Sequence, residues 1–244
     1  MCEETGAALE YRHLKIGANS KLWLGSVSKE IGRLAQGSAA IKEGTNTMHF
    51  IHSHDKPQCK KTTYLNIVAN KHPQKEDPYR IRFTVSGNRL DYPGPTATET
   101  AEIQTANLLF NSTISTKCGQ FMCIDLKYFY LGTTMNRYEY MWIKMSDIPQ
   151  DIIDQYRLKE KAVNGKVLVE IKKGMYKLNQ AGRTANDQLK QHLKDYGYVP
   201  CRYTPGLFTH TSRKISFALC VDDFGVKYTD KADAQHLLTC LEKL

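Results

Sequence analysis

The chain has 244 residues, enough for one large or two small cored domains. Hydrophobic residues make up 41% and charged residues 24%, a globular composition that excludes a disordered polyelectrolyte. Lys+Arg 34 against Asp+Glu 25 leaves a net charge of +9, which suits a polyanionic partner without requiring one. No apolar run reaches the roughly 18 residues that a bilayer span needs, and the polar, acidic start MCEETGAALE is no secretory signal. Seven cysteines (Cys2, Cys59, Cys118, Cys123, Cys201, Cys220, Cys240) show no CxxC spacing. They read as reduced, mostly buried thiols of an intracellular protein.

From the N-terminus, SKLWLGSVSKEIGRL (20–34) puts Trp23, Val27, Ile31 and Leu34 on one helical stripe behind Ser20 as N-cap. Residues 37–61 are polar and bring His49, His52 and His54 close in sequence, but without the spacing of a metal site. TTYLNIVAN (62–70) and YRIRFTVS (79–86) read as strands. In the second, Tyr79, Ile81, Phe83 and Val85 alternate with Arg80, Arg82, Thr84 and Ser86, so one face is apolar and the other offers two arginines to solvent or to phosphate. Turn residues follow at 87–95. Thr96-x-x-Glu99 is a capping box that predicts a helix from about Thr96 to Asn111-Ser112, with Ile103, Ala106 and Phe110 inward.

QFMCIDLKYFYLGT (120–133) predicts a strand running into a tight structure, and the charged stretch 152–166 a hairpin or loop excursion. VLVEIKKG (167–174) is a strand. A helix follows from about Arg183 to Tyr196, with Ala185, Leu189, Leu193 and Tyr196 as its apolar stripe and Gly197 as its stop. Asp230 caps a last helix with Ala234, Leu237, Leu238 and Leu241 inward.

Between those two helices lies ISFALCVDDFGVKY (215–228), in which two β-prone runs flank Asp222 and Asp223. The pattern predicts a hairpin with both acids at its turn. Strands this apolar are expected to be buried, where adjacent like charges repel and lose hydration. A hard divalent cation, which prefers carboxylate oxygens, would remove that cost.

Three segments now stand in order: Asp125 in DLKYFYLGT, then KGMYKLNQAGR, then VDDFGVKY. Together with RIRFTVSGNR upstream, they resemble the motifs of reverse transcriptases of long-terminal-repeat retroelements, most closely the copia-like transposon polyproteins, over roughly residues 60–244. The resemblance implies an α+β fold, the fingers and palm of a right-hand polymerase, with an antiparallel palm sheet backed by helices and the thumb absent. Residues 1–60 would be an N-terminal extension or the start of the fingers. Fingers would come from about 60–115 and 133–184, palm from about 116–132 and 185–244, and the domain would be incomplete at its C-terminus.

It also implies RNA-directed DNA polymerisation, which a chain truncated in this way is expected to carry out weakly or not at all. Asp125, Asp222 and Asp223 would be the catalytic carboxylates: Asp125 and Asp222 would hold or bridge two Mg2+ ions, for which Mn2+ could substitute, and Asp223 would be an outer or partial ligand. Arg80 and Arg82 would face the triphosphate of the incoming deoxynucleoside triphosphate, with either one making the contact. Tyr130 would exclude a ribose 2′-hydroxyl, Gln180 would lie near sugar and base, and Val221 beneath the primer terminus. The partners implied are an RNA or DNA template-primer and no membrane; the location is intracellular, a cytoplasmic virus-like particle or the nucleus.

Two departures stand out. Lys177 occupies a position usually held by glycine, where a positive φ would strain it, and Cys220 stands where many relatives have tyrosine. Two other classes of protein remain open: a catalytically inactive transposon remnant, and a domesticated nucleic-acid-binding or scaffold protein.

Overall fold

The structure is a computed structural model and describes residues 10–244. Helices α1 (Tyr11–Leu14) and α2 (Ser20–Leu34) precede strands β1 (Met48–Ile51), β2 (Thr62–Lys71) and β3 (Tyr79–Val85). Helix α3 (Ile103–Ile114) leads into β4 (Gln120–Asp125), α4 (Phe129–Gly132) and β5 (Thr134–Lys144). Next come α5 (Gln150–Gln155), α6 (Leu158–Lys161), β6 (Lys166–Lys173) and α7 (Ala181–Asp195). The last stretch holds β7 (Tyr198–Pro200), β8 (Leu207–His210), β9 (Ile215–Cys220), β10 (Asp223–Tyr228) and α8 (Lys231–Leu241). The chain is α+β. It divides into two compact units, one running up to Gly94 and taking in Tyr130–Ala181, the other formed by Pro95–Phe129 and Gly182–Leu244.

The first unit is built on a sheet of order β1-β6-β5-β2-β3, antiparallel except where β2 runs parallel to β5. Helix α2 buries the predicted stripe: Val27, Ile31 and Leu34 are fully enclosed, and the Trp23 ring meets Tyr79 edge-on at 5.0 Å. Its N-cap is Asn19 rather than Ser20, with no side-chain cap bond. Strand β3 keeps its period of two, with Ile81, Phe83 and Val85 buried and Arg80 and Arg82 exposed.

Two expectations change here. The polar reading of 37–61 hid β1, a four-residue strand that buries Met48 and Phe50 against the core. Such a strand is too short for composition to reveal. The stretch 152–166 is not a loop excursion but mostly helical: α5 and α6 bury Ile152, Ile153 and Leu158, and the charges are their outer faces.

In the second unit all strands are antiparallel, in the order β4-β10-β9-β8-β7. One face buries Phe208, Phe217, Phe224 and Val226. The Tyr198 hydroxyl of β7 shares a hydrogen bond with His236 Nδ1 of α8 (3.0 Å), and His192 of α7 meets the Cys240 carbonyl of α8 (2.7 Å). Helix α7 buries Ala185, Leu189 and Leu193 and ends before Gly197, whose φ is +86°. Asp230 caps α8 by accepting from the Ala232 amide at 2.9 Å, and Cys240 rather than Leu238 completes its inner stripe.

On the other face lies α3, which starts at Ile103 and not near Thr96. The capping box does not form, because Glu99 reaches Lys190 (3.3 Å) and the extended chain before the helix is pinned by Ala101 N–H donating to the Leu219 carbonyl (2.8 Å). The inner face is accordingly Leu109 and Thr113, while Ile103 is 69% and Phe110 49% exposed. The cysteines also depart from expectation: Cys59, Cys118, Cys123 and Cys220 are exposed, and Cys240 alone is buried among the described residues. No helix among the described residues is long and apolar enough to cross a membrane.

Candidate active site

The hairpin of β9 and β10 sets the geometry. Cys220 pairs with Asp223, so the loop is Val221–Asp222, one residue earlier than the Asp-Asp turn expected from sequence. Of these two, Val221 alone has a positive φ, +62°, the pattern of a type II′ turn. Glycine is the usual residue there, and a β-branched side chain at such a φ is strained.

Because the loop ends at Asp222, Asp223 is the first residue of β10, and it lies directly opposite Asp125 of β4. The Leu126 amide donates to the Asp222 carbonyl at 3.0 Å, the bond that flanks a non-hydrogen-bonded cross-strand pair. In such pairs the Cα atoms approach to about 4.5 Å and the side chains leave the same face close together. Asp125 and Asp223 are thus the neighbouring residues of one short cross-strand row, and Cys220 continues that row on β9.

Both carboxylates are exposed, which corrects the expectation of a buried turn. The face is open here because α3 covers it farther along. Leu109, Ala101 and Ala218 pack together with Phe121, and a Cβ on Gly225 would meet the Phe121 ring at 3.0 Å. Asp222 is half-buried at the turn. What the arrangement offers is two hard oxygen donors converging from separate strands. Like charges directly opposed are destabilising, and a cation relieves that. The set fits magnesium, which takes one or two protein carboxylates and completes its shell with water and substrate phosphate. Among the described residues, no group of three or more histidine, cysteine or acidic side chains is gathered around one point, the three histidines of 49–54 included.

The remaining expected site residues, Val221 apart, belong to the first unit. The Arg82 guanidinium lies 4.5 Å over the Tyr176 ring, and Tyr176 meets Tyr130 edge-on at 6.0 Å, so the three form a row. Arg80 is exposed on the same face of β3, two residues away. The segment after β6 passes tightly over α4. Gly174 N–H donates to the Thr133 carbonyl (2.8 Å), and a Cβ on Gly174 would lie 2.4 Å from the Tyr130 carbonyl oxygen. Lys177 does adopt the positive φ anticipated for it, +63°, with its side chain in solvent.

Gln180 is enclosed, 2% exposed, and its amide donates to Glu139 at 3.2 Å. Glu139, 1% exposed, is also ion-paired with Arg137 (3.0 Å) and stands 3.9 Å from Lys60. Burial pushes the Lys60 ammonium down, opposed by Glu139 and assisted by Arg137. This buried charge cluster was missed in the sequence. Its signal was present, since Glu139 takes an inward position in β5, in line with Met135, Met141 and Ile143.

Compared with known families, the chain matches no family model, and compared with curated proteins it matches none.

Proposed function

We propose that this chain is the nucleotidyl-transfer core of an RNA-directed DNA polymerase of the retrotransposon kind, its second unit a palm and its first unit fingers. The observation that carries the reading is the pairing of Asp125 with Asp223 beside a two-residue turn, on the open face of an antiparallel sheet. Converging carboxylates from separate strands are what in-line displacement at phosphorus demands of a protein.

Asp125 and Asp223 would hold magnesium or manganese, with Asp222 beside them. Bound there, the metal supplies activation of the primer 3′-hydroxyl and neutralisation of the triphosphate. The strained Val221 turn presents a small apolar surface next to the carboxylates, where a primer terminus would rest. In the first unit, exposed Arg80 and Arg82 would meet the triphosphate; Arg82 is already oriented by Tyr176. Tyr130, braced edge-on by Tyr176, is the candidate gate against a 2′-hydroxyl. Gln180 would act by positioning, since its amide is committed to Glu139.

The test is extension of a DNA primer on an RNA template by the 244-residue chain. Extension is expected with Mg2+ or Mn2+ and none with chelator, and Asp125→Asn should abolish it while keeping a cooperative melt no less stable than the parent's. Extension by Asp125→Asn at the parental rate would overturn the reading. A second reading, a nucleic-acid-binding scaffold without catalysis, draws on Lys177, a bulky residue held in a glycine conformation within the pocket segment. Salt-sensitive binding of nucleic acid with no extension under any metal would establish it.

A further inference from the structure

The second unit holds a cavity of about 250 Å3 whose lining includes Arg213, Lys214, Lys227, Thr116, Thr209 and Ser216, and no acidic side chain. Register places it on the same sheet face as the paired aspartates. Lys227 lies opposite Ser216, and Ser216 opposite Thr209, so the three form a row across β10, β9 and β8. That row is four residues along β10 from Asp223, about 14 Å at the usual rise per residue. The packed patch of Leu109, Ala101, Ala218 and Phe121 lies between, which makes the cavity a separate subsite rather than an extension of the carboxylate pair.

Its walls are fixed by the fold. Ser212 and Arg213 amides donate to His210 Nδ1 (3.0 and 3.1 Å), and His210 Nε2 meets the Tyr196 carbonyl, so both ring nitrogens are engaged and the ring is held in place. Asp233 accepts from Arg213 Nη1 (2.8 Å) and from the Lys214 amide (3.2 Å), holding the β8–β9 loop and using one edge of the guanidinium. Lys227 Nζ donates to Ser112 Oγ and to the Ser112 carbonyl, neutral acceptors that orient the ammonium without cancelling its charge. Three cations face one neighbouring carboxylate, and hydroxyl donors fill the space between them. Such a lining repels cations, offers little to an apolar ligand, and matches a group with several acceptor oxygens and negative charge.

We propose that this cleft binds a phosphate group, taken from the backbone of a nucleic-acid strand. The cleft itself follows from the second unit alone; the choice of nucleic acid as the source rests on the polymerase reading. The other source with the same chemistry is free phosphate or pyrophosphate.

The experiment uses the whole chain and a labelled single-stranded oligonucleotide, with anisotropy read over a range of KCl. Lys214→Gln/Lys227→Gln should make the log–log salt slope shallower by about 0.7, the contribution of the one phosphate of a single strand that is no longer neutralised. Lys214→Gln alone, at an exposed loop position, should give half of that without touching packing. A matched control, Lys75→Gln/Lys159→Gln, removes two exposed lysines elsewhere. An equal change in the control would overturn the site, because bulk charge would then suffice.

A second arm measures thermal stabilisation by pyrophosphate. If the double variant loses that stabilisation but keeps the parental slope, the cleft is a phosphate site that takes the free anion. If neither readout moves, there is no site. Neither arm requires catalysis, and Asp125→Asn should bind with the parental slope, so failure here and failure of the polymerase reading are told apart.

Discussion

Asp125 and Asp223 occupy positions where opposed like charges work against the fold, and both are exposed. Cross-strand pairs are worth roughly 0.2–1 kcal/mol, and screening puts an exposed pair at the lower end. Asp223→Asn in chelator should therefore raise stability by a few tenths of a kcal/mol, while added Mg2+ should stabilise the parent and not the variant. Denaturant melts with and without Mg2+ check both; equal Mg2+ stabilisation of the two proteins would show that Asp223 is no ligand.

Lys177 makes a second, independent case. A left-handed conformation costs a non-glycine residue about 1–2 kcal/mol, and glycine gives back roughly 0.5–1 of that in backbone entropy. Lys177→Gly should thus stabilise the chain by about 0.5–1 kcal/mol, read as a shifted denaturant midpoint with unchanged m-value. The identities of the carboxylates and the strain at Lys177 were both legible in the sequence, because each is a property of residue type at one position. Which residue begins β10 was not. A one-residue change of turn reverses the face on which each side chain emerges, and VDD reads equally well either way.

Elements were most legible where one apolar stripe dominated. Helices α2, α7 and α8 follow their predicted stripes closely, since packing of that stripe decides the helix. Helix α3 escaped because its local capping signal lost to long-range partners: Lys190 for Glu99, and the β9 carbonyl of Leu219 for the Ala101 amide.

The aromatic nest around α8 could not be read at all, because His236, Tyr198 and His210 meet only through the sheet. Burial holds the His236 imidazole below its ordinary value of 6.5, with Arg213 and His210 adding to the effect and Asp233 opposing it. The Tyr198 hydroxyl is hydrogen-bonded to it, and the Tyr196 ring lies 6.4 Å away. His49 in β1 is lowered as well, by burial first and Lys172 next. In both cases the unfolded chain binds a proton that the folded chain resists, so stability rises with pH in that interval. The contribution is intact above about pH 6.5 and is lost as pH falls toward the lowered folded values. His236→Asn keeps a polar partner for Tyr198 but cannot titrate. Its stability should fall less steeply than the parent's between neutral pH and about pH 5; parallel curves in a pH series of urea melts would remove His236 from this role.

At the scale of the molecule, the +9 charge becomes informative only once register and burial show where cations stand without neutralisation. Many do not: Arg33 is spent on Glu30, Arg137 on Glu139, Lys15 on Asp147 and Lys29 on Asp77. Among the described cations left without an acidic partner, two sets stand at candidate sites. In the first unit these are Arg80 and Arg82, on the outer face of β3; in the second they are Lys214 and Lys227, at the phosphate cleft. Composition alone gave the sign of the partner's charge and nothing about its footprint, because a count cannot separate spent cations from available ones. The two sets would answer to different ligands, the arginines to the triphosphate and the lysines to the strand. Arg80→Gln/Arg82→Gln should therefore leave the salt slope of strand binding at its parental value, and combining it with Lys214→Gln/Lys227→Gln should give the change of the lysine pair alone, about 0.7 for one phosphate. The measurement is the same anisotropy titration over KCl. A shallower slope in Arg80→Gln/Arg82→Gln would mean that the arginines hold the strand rather than the triphosphate, and a parent with a flat slope would mean that the net charge serves no phosphate backbone.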